Sequence, residues 1–198
     1  MNFLKKLLNK YQKESGQQKQ IKQYPVKLSL DDSFVHHFIN KGGKFLYCTK
    51  IDEVMNNFNR IVDENNWTKV ICNDIDLLKI LQKNKTVETF EKLNNNHPTF
   101  ITCEHLIANS GEILFSSNQL GGHKLPTLSD NFIVYATTSQ LVKNISEALT
   151  AIKLNFKGNL PTNICSIKNY TITDANDDFL DYGNSNTKNM YLILFEDL

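Results

Sequence analysis

Ile101 to Lys153 reads ITCEHLIANSGEILFSSNQLGGHKLPTLSDNFIVYATTSQLVKNISEALTAIK, and the order of its elements decides the fold. Short apolar runs near Thr99–Cys103, Glu112–Ser116 and Phe132–Ala136 are bounded by turn residues, as buried strands are. Between the first two lie an acidic turn, Thr102-Cys103-Glu104-His105, and a Ser-Gly corner, Asn109-Ser110-Gly111-Glu112. From Ser139 to Ile152 the apolar positions Leu141, Ile145, Ala148, Leu149 and Ile152 recur at helical spacing. That recurrence predicts one amphipathic helix over the whole range.

Upstream the pattern repeats. Asp31-Asp32-Ser33 supplies capping residues for a helix through Asn40, and Gly42-Gly43 ends it before a strand at Lys44–Cys48. A helix entered from Thr49 or Lys50 places Val54, Phe58, Ile61 and Val62 on one side, and Asn65-Asn66 breaks it ahead of a strand at Lys69–Cys72. Asp74–Leu81 reads as a short helix, Lys83–Asn96 as a polar loop with a strand at Val87–Phe90, and Asn163–Ile167 and Tyr191–Phe195 as closing strands. Strands that are apolar throughout and alternate with helices belong to a sheet covered on both faces. The expected fold is α/β, a mostly parallel sheet with helices on both faces, in which Phe45, Val70, Phe115 and Ile133 are buried.

Taken together, the corner Ile107-Ala108-Asn109-Ser110-Gly111-Glu112, the strand after it, Leu125-Pro126, the next strand and its helix resemble the lactate-utilisation (LUD) domain family. The resemblance covers about Ser29 to Leu198 and implies a fold similar to the phosphosugar isomerase and CoA-transferase group (NagB/RpiA/CoA-transferase-like). It also implies a part in oxidising L-lactate to pyruvate, in a complex whose partner subunits carry the iron–sulfur clusters. On that reading the chain is an accessory or substrate-handling component that meets a small organic acid or other anionic ligand. The alternatives are a stand-alone isomerase or acyl-transfer enzyme using Glu104 or Glu112 as base or nucleophile, and a non-catalytic ligand-binding protein on the same fold.

Ligands of open α/β sheets lie beyond the carboxyl ends of the strands. The candidate pocket therefore joins Thr102, Glu104 and His105, the corner Asn109, Ser110, Gly111 and Glu112, and the loop Gln119–Pro126 with Lys124. Thr171 and Thr173 form its rim. Members of the family carry an arginine-bearing segment near the C-terminus, but here Ile172 stands at the arginine position between Thr171 and Thr173. The later glycine-histidine motif keeps Gly183 and loses the histidine. Arg60 is the sole arginine against 21 lysines. Anion recognition in this chain must therefore use lysine, backbone amides or hydroxyls.

Composition and charge narrow the remaining classes. At 198 residues, 40% of them hydrophobic, the chain is sized for one domain with a substantial core. We divide it into a leader and linker, residues 1–28, and an α/β domain, residues 29–198. Residues 1–30 hold seven lysines and one glutamate in a chain whose net charge is only +1, so the remainder is net acidic. Phe3, Leu4, Leu7, Leu8 and Tyr11 lie at helical spacing opposite Lys5, Lys6 and Lys10. Such a basic amphipathic helix makes weak contact with an anionic membrane, docks on a partner, or serves as a leader or oligomer contact.

Neither a secretory signal nor an apolar run of spanning length is legible, which predicts a cytoplasmic protein. Cys48, Cys72, Cys103 and Cys165 are isolated in apolar runs and form no C-x-x-C pair, so no iron–sulfur ligands are expected in this chain. Glu104, His105 and His123 match no metal-ligand spacing, and Gly42-Gly43 and Gly121-Gly122 lack the phosphate-loop context. Nucleic acid is not an expected partner, because the aromatics occupy core positions without interleaved basic residues.

Overall fold

The computed structural model describes residues 28–81, 88–90, 93–170 and 187–197. The leader helix and most of the linker, as well as Thr171, Ile172, Thr173 and Gly183, lie outside the described residues. In chain order the elements are α1 (Leu30–Asn40), β1 (Lys44–Cys48), α2 (Ile51–Glu64), β2 (Lys69–Ile71), α3 (Ile75–Leu81) and β3 (Glu88–Phe90). There follow β4 (Thr99–Thr102), β5 (His105–Ile107), β6 (Glu112–Phe115), α4 (Ser117–Leu120), a 3-10 turn at Leu125–Thr127 and β7 (Asn131–Thr137). A second 3-10 turn (Thr138–Gln140), β8 (Leu141–Val142), α5 (Ile145–Asn155), β9 (Cys165–Ile167) and β10 (Asn189–Phe195) follow among the described residues.

Six strands form a parallel sheet in the order β1-β10-β7-β4-β2-β3. Its central strands are apolar throughout because both faces are buried. In β7, Phe132, Val134 and Ala136 point to one face while Ile133 points to the other, and in β10 Met190, Leu192 and Leu194 alternate with Tyr191 and Ile193. Helices α2 and α3 cover the Ile133 face with Val54, Phe58, Ile61, Val62, Leu77 and Leu81. The opposite face meets Phe34 and Phe38 of α1 and the inner side of a second sheet, ordered β8-β5-β6-β9. Helix α5 lies outside that second sheet, with Ala148 and Ile152 on Ile107 and Leu114.

The α/β class and the mostly parallel sheet are as the sequence predicts, with one refinement. The run Glu112–Ser116 joins the second sheet, where β5 and β6 form a hairpin. Because this small sheet is packed on both sides, Leu106 and Ile113 facing inward and Ile107 and Leu114 outward, its strands are as uniformly apolar as those of the parallel sheet. Phe45 is half-buried, since β1 is an edge strand, whereas Val70, Phe115 and Ile133 are fully buried.

Two helix starts differ from the sequence reading. The N-cap of α1 is Ser29, whose hydroxyl accepts from the Asp32 amide, and Ser33 turns inward to donate to the Ala108 carbonyl at 3.0 Å. The helix expected from Ser139 begins at Ile145. Leu141 and Val142 are drawn into parallel pairing with Leu106 and Ile107, and Asn144 caps α5 by accepting from the Glu147 amide at 3.0 Å. Ile145 and Leu149 consequently face solvent, each 43% exposed.

Candidate functional site

The carboxyl ends of β2, β4 and β7 gather a polar cluster centred on Glu104. Parallel β4 leaves the sheet after Thr102, and the chain turns through Cys103 and Glu104 into the hairpin, with the Glu104 amide donating to the Leu114 carbonyl at 2.8 Å. Two capping boxes of the form S/T-x-x-Q, Ser116–Gln119 after β6 and Thr137–Gln140 after β7, then close around this turn. In each, the glutamine Oε1 accepts from the cap residue's amide, at 2.9 Å for Gln119 and 2.8 Å for Gln140. That contact aims the Gln119 Nε2 at Glu104 and the Gln140 Nε2 at both Cys103 and Glu104. Gln119 Nε2 donates to Glu104 Oε1 at 3.1 Å, and Gln140 Nε2 donates to the carbonyls of Cys103 at 2.5 Å and Glu104 at 3.3 Å.

The Ser116 hydroxyl at 2.5 Å and Asn118 Nδ2 at 2.9 Å also donate to Glu104 Oε1. One carboxylate oxygen thus takes three donors, and Oε2 takes none of them. Just after β2, Asp74 accepts from the Thr102 hydroxyl at 3.2 Å, and Asn73 donates to the Gln119 carbonyl at 3.1 Å. His105 Nδ1 lies 3.2 Å from the Gln140 carbonyl, which only accepts, so that nitrogen carries the proton.

Asn109, Ser110, Gly111 and Glu112 stand at the opposite end of the hairpin. Three residue pairs separate them from Glu104, roughly 10 Å at the rise of a strand. The corner packs on α1 and has a structural explanation. Gly111 has φ +67, its carbonyl accepts from Tyr170 Oη at 2.6 Å, and the Asn109 amide donates to the Lys143 carbonyl. Glu112 accepts from the Ser166 hydroxyl at 2.8 Å and lies 3.8 Å from Lys168 Nζ. Lys124 is exposed, and its carbonyl closes the Leu125–Thr127 turn. The structure therefore brings Thr102, Glu104, His105 and Gln119 together and sets Asn109 to Glu112 apart from them.

Asn73, Asp74, Ser116, Asn118 and Gln140 were not singled out from sequence. The two S/T-x-x-Q boxes following apolar runs were the available signal. Shallow depressions of about 430 Å³ along α5, lined by Asn144, Ser146, Glu147, Thr150, Ala151 and Leu154, and of about 310 Å³ between α2 and α3 share no residue with this cluster.

Cysteine chemistry at the edge is muted. Burial pushes the Cys72 thiol up to about 12 and raises Cys103 further. Among the described residues no three His, Cys, Asp or Glu side chains converge as a metal would require, so they do not fit an iron–sulfur cluster. No described helix is long and apolar enough to cross a membrane.

The parallel sheet, its covering helices and the polar side chains at its carboxyl edge define an α/β protein. The model of the LUD domain matches residues 32–195, and the chain belongs to that family. The crystal structure of a DUF162 family protein from Deinococcus radiodurans is similar, with a TM-score of 0.60 and 14% identity over 86% of this chain and 99% of that one. No curated protein matches the sequence. Membership supports a role associated with lactate utilisation.

Proposed function

We propose that this chain is an accessory or substrate-handling component of a system that oxidises L-lactate to pyruvate. It holds a small organic acid at the carboxyl edge of β4 and β7, while a partner subunit carries the iron–sulfur clusters and the electrons. The observation that carries the reading is Glu104, fixed at the sheet's ligand edge by Ser116, Asn118 and Gln119. A carboxylate held on one oxygen keeps the other oriented for a substrate hydroxyl, as positioning or proton acceptance requires.

The test uses the full chain in its native host. Co-purification with an iron–sulfur protein, together with calorimetric binding of L-lactate or pyruvate that weakens in Glu104→Gln, is the expected result. Recovery of the chain alone, without affinity for either acid, overturns the reading.

The same geometry favours one competing function. With Oε1 occupied, Oε2 of Glu104 is available as the nucleophile or base of an acyl-transfer or isomerase reaction. Turnover by the purified chain with no partner, abolished in Glu104→Gln, selects this enzyme over the accessory component.

A further inference from the structure

Strand β1 ends the parallel sheet, and no strand pairs with its outer edge among the described residues. Its backbone groups divide by position. The Cys48 carbonyl accepts from the Glu196 amide at 2.8 Å, so Cys48, and by alternation Leu46 and Lys44, turn their amides and carbonyls toward β10. Those of Phe45 and Tyr47 point away from the sheet. Sheet edges are commonly guarded by a proline, a bulge or an outward lysine. In β1 the register with β10 is unbroken over Lys44–Cys48, and the Lys44 ammonium folds back to bond Tyr191 Oη at 2.8 Å.

Apolar side chains flank this edge on both faces. On the α1 face Phe45 and Tyr47 are half-buried, and the flank of α1 turned away from the hairpin corner carries Val35 and Ile39, the latter 51% exposed. On the α2 face Leu46 and Met55 are half-buried, and Ile51 is 47% exposed. Charge differs between the two ends. Lys41 and Lys44 stand where β1 begins. Where it ends, burial, then Glu196 and Asp31, push the Tyr47 hydroxyl up to about 12, and Asp52 lies in the first turn of α2. Asp197 is engaged within its own chain, by the hydroxyls of Thr138 at 2.8 Å and Ser139 at 2.6 Å and by the Ser139 amide at 2.9 Å.

We propose that β1 is the interface with a second copy of this chain, the two strands pairing antiparallel about a two-fold axis at Leu46. In that register Phe45 lies opposite Tyr47 of the second copy, and both such pairs exchange amide-to-carbonyl bonds in each direction, which uses the groups that point outward. The aromatic rings meet across the strands on the α1 face. Leu46 meets Leu46 of the second copy at the non-hydrogen-bonded position, where Cα atoms approach to about 4.5 Å. The rotation carries Lys41 and Lys44 of each copy toward Asp31, Asp52 and Glu196 of the other. Lys50 at one end, and Asp63 and Glu64 closing α2 at the other, are opposed in the same way. Both Glu104 clusters stay open, because the carboxyl edges lie at opposite ends of the joined sheet.

Sedimentation equilibrium of the full chain distinguishes one copy from two, and a dimer is expected. Tyr47→Pro deletes an outward amide without touching the β10 ladder, and Leu46→Lys sets two ammonium groups against each other. Each is expected to give a monomer with an unchanged far-ultraviolet spectrum. Leu46→Cys reads the register directly. In a Cys165→Ser background, the other cysteines being buried, its two thiols lie within disulfide reach across the axis and should cross-link on oxidation by diamide. A monomeric wild type overturns the proposal. So does a dimer that survives in a folded Tyr47→Pro or Leu46→Lys variant, or one in which Leu46→Cys does not cross-link.

Discussion

Gln119 and Gln140 reach the same residue from the turns that follow β6 and β7, one donating to Glu104 Oε1 at 3.1 Å and the other to the Glu104 carbonyl at 3.3 Å. The hairpin and the parallel sheet are pinned together at that point. Gln140→Glu keeps the acceptor for the Thr137 amide but turns an oxygen toward the Cys103 and Glu104 carbonyls. The expected cost is about 2 kcal/mol, the price of a lost bond and an opposed acceptor, read as a lower urea midpoint at unchanged slope.

Gly111→Ala is expected to be among the most damaging single changes. Its φ of +67 strains any other residue, and a Cβ there meets the Phe38 amide nitrogen at 2.5 Å. Strain and clash together exceed about 3 kcal/mol. Equilibrium denaturation measures it, and a loss below about 1 kcal/mol contradicts the packing of the hairpin on α1.

Ser110→Ala should do the reverse. The Ser110 hydroxyl is buried without a hydrogen-bond partner, so removing it relieves a desolvated group and leaves stability equal or up to about 1 kcal/mol higher. Ligand affinity should not change, because the corner lies at the far end of the hairpin from Glu104.

Asn144→Ala removes the cap of α5 and is expected to cost about 1 kcal/mol. Thermal melting detects it. The same substitution at Ser139, which precedes the helix, should leave the helix unaffected.

Acid should erase the contribution of Asp197. Its folded pKa of about 2 lies below the ordinary 3.8, so the stabilisation is present above the unfolded value and is lost as pH falls from there toward 2. The stability difference between the wild type and Asp197→Asn is expected at about pH 5 and should disappear as pH falls through about 2. A difference that persists in acid shows that the carboxylate charge is not what holds the segment.

Several elements were legible because local chemistry alone fixes them. Gly42 and Asn66 take positive φ where turns were read, and Val54, Phe58, Ile61 and Val62 face the sheet as their spacing predicts. The start of α5 was misread because Leu141 and Val142 fit the helical period and were claimed instead by pairing with β5. Asn144, which caps the helix by accepting from the Glu147 amide, was present in the sequence and marked the true start.

Sequence by itself determined the alternation of apolar runs and helices, the turn glycines, the scarcity of arginine and the family resemblance, since each depends on residue type and near-neighbour spacing. Only the tertiary structure decided that β5 and β6 leave the parallel sheet, because strands buried on both sides carry the same apolar pattern in either sheet. It also decided which polar residues meet. Glu104 and Glu112 are close in sequence and stand at opposite ends of a hairpin, while Glu104 is joined to Gln140, and Ser139 to Asp197, across strands that only folding brings side by side.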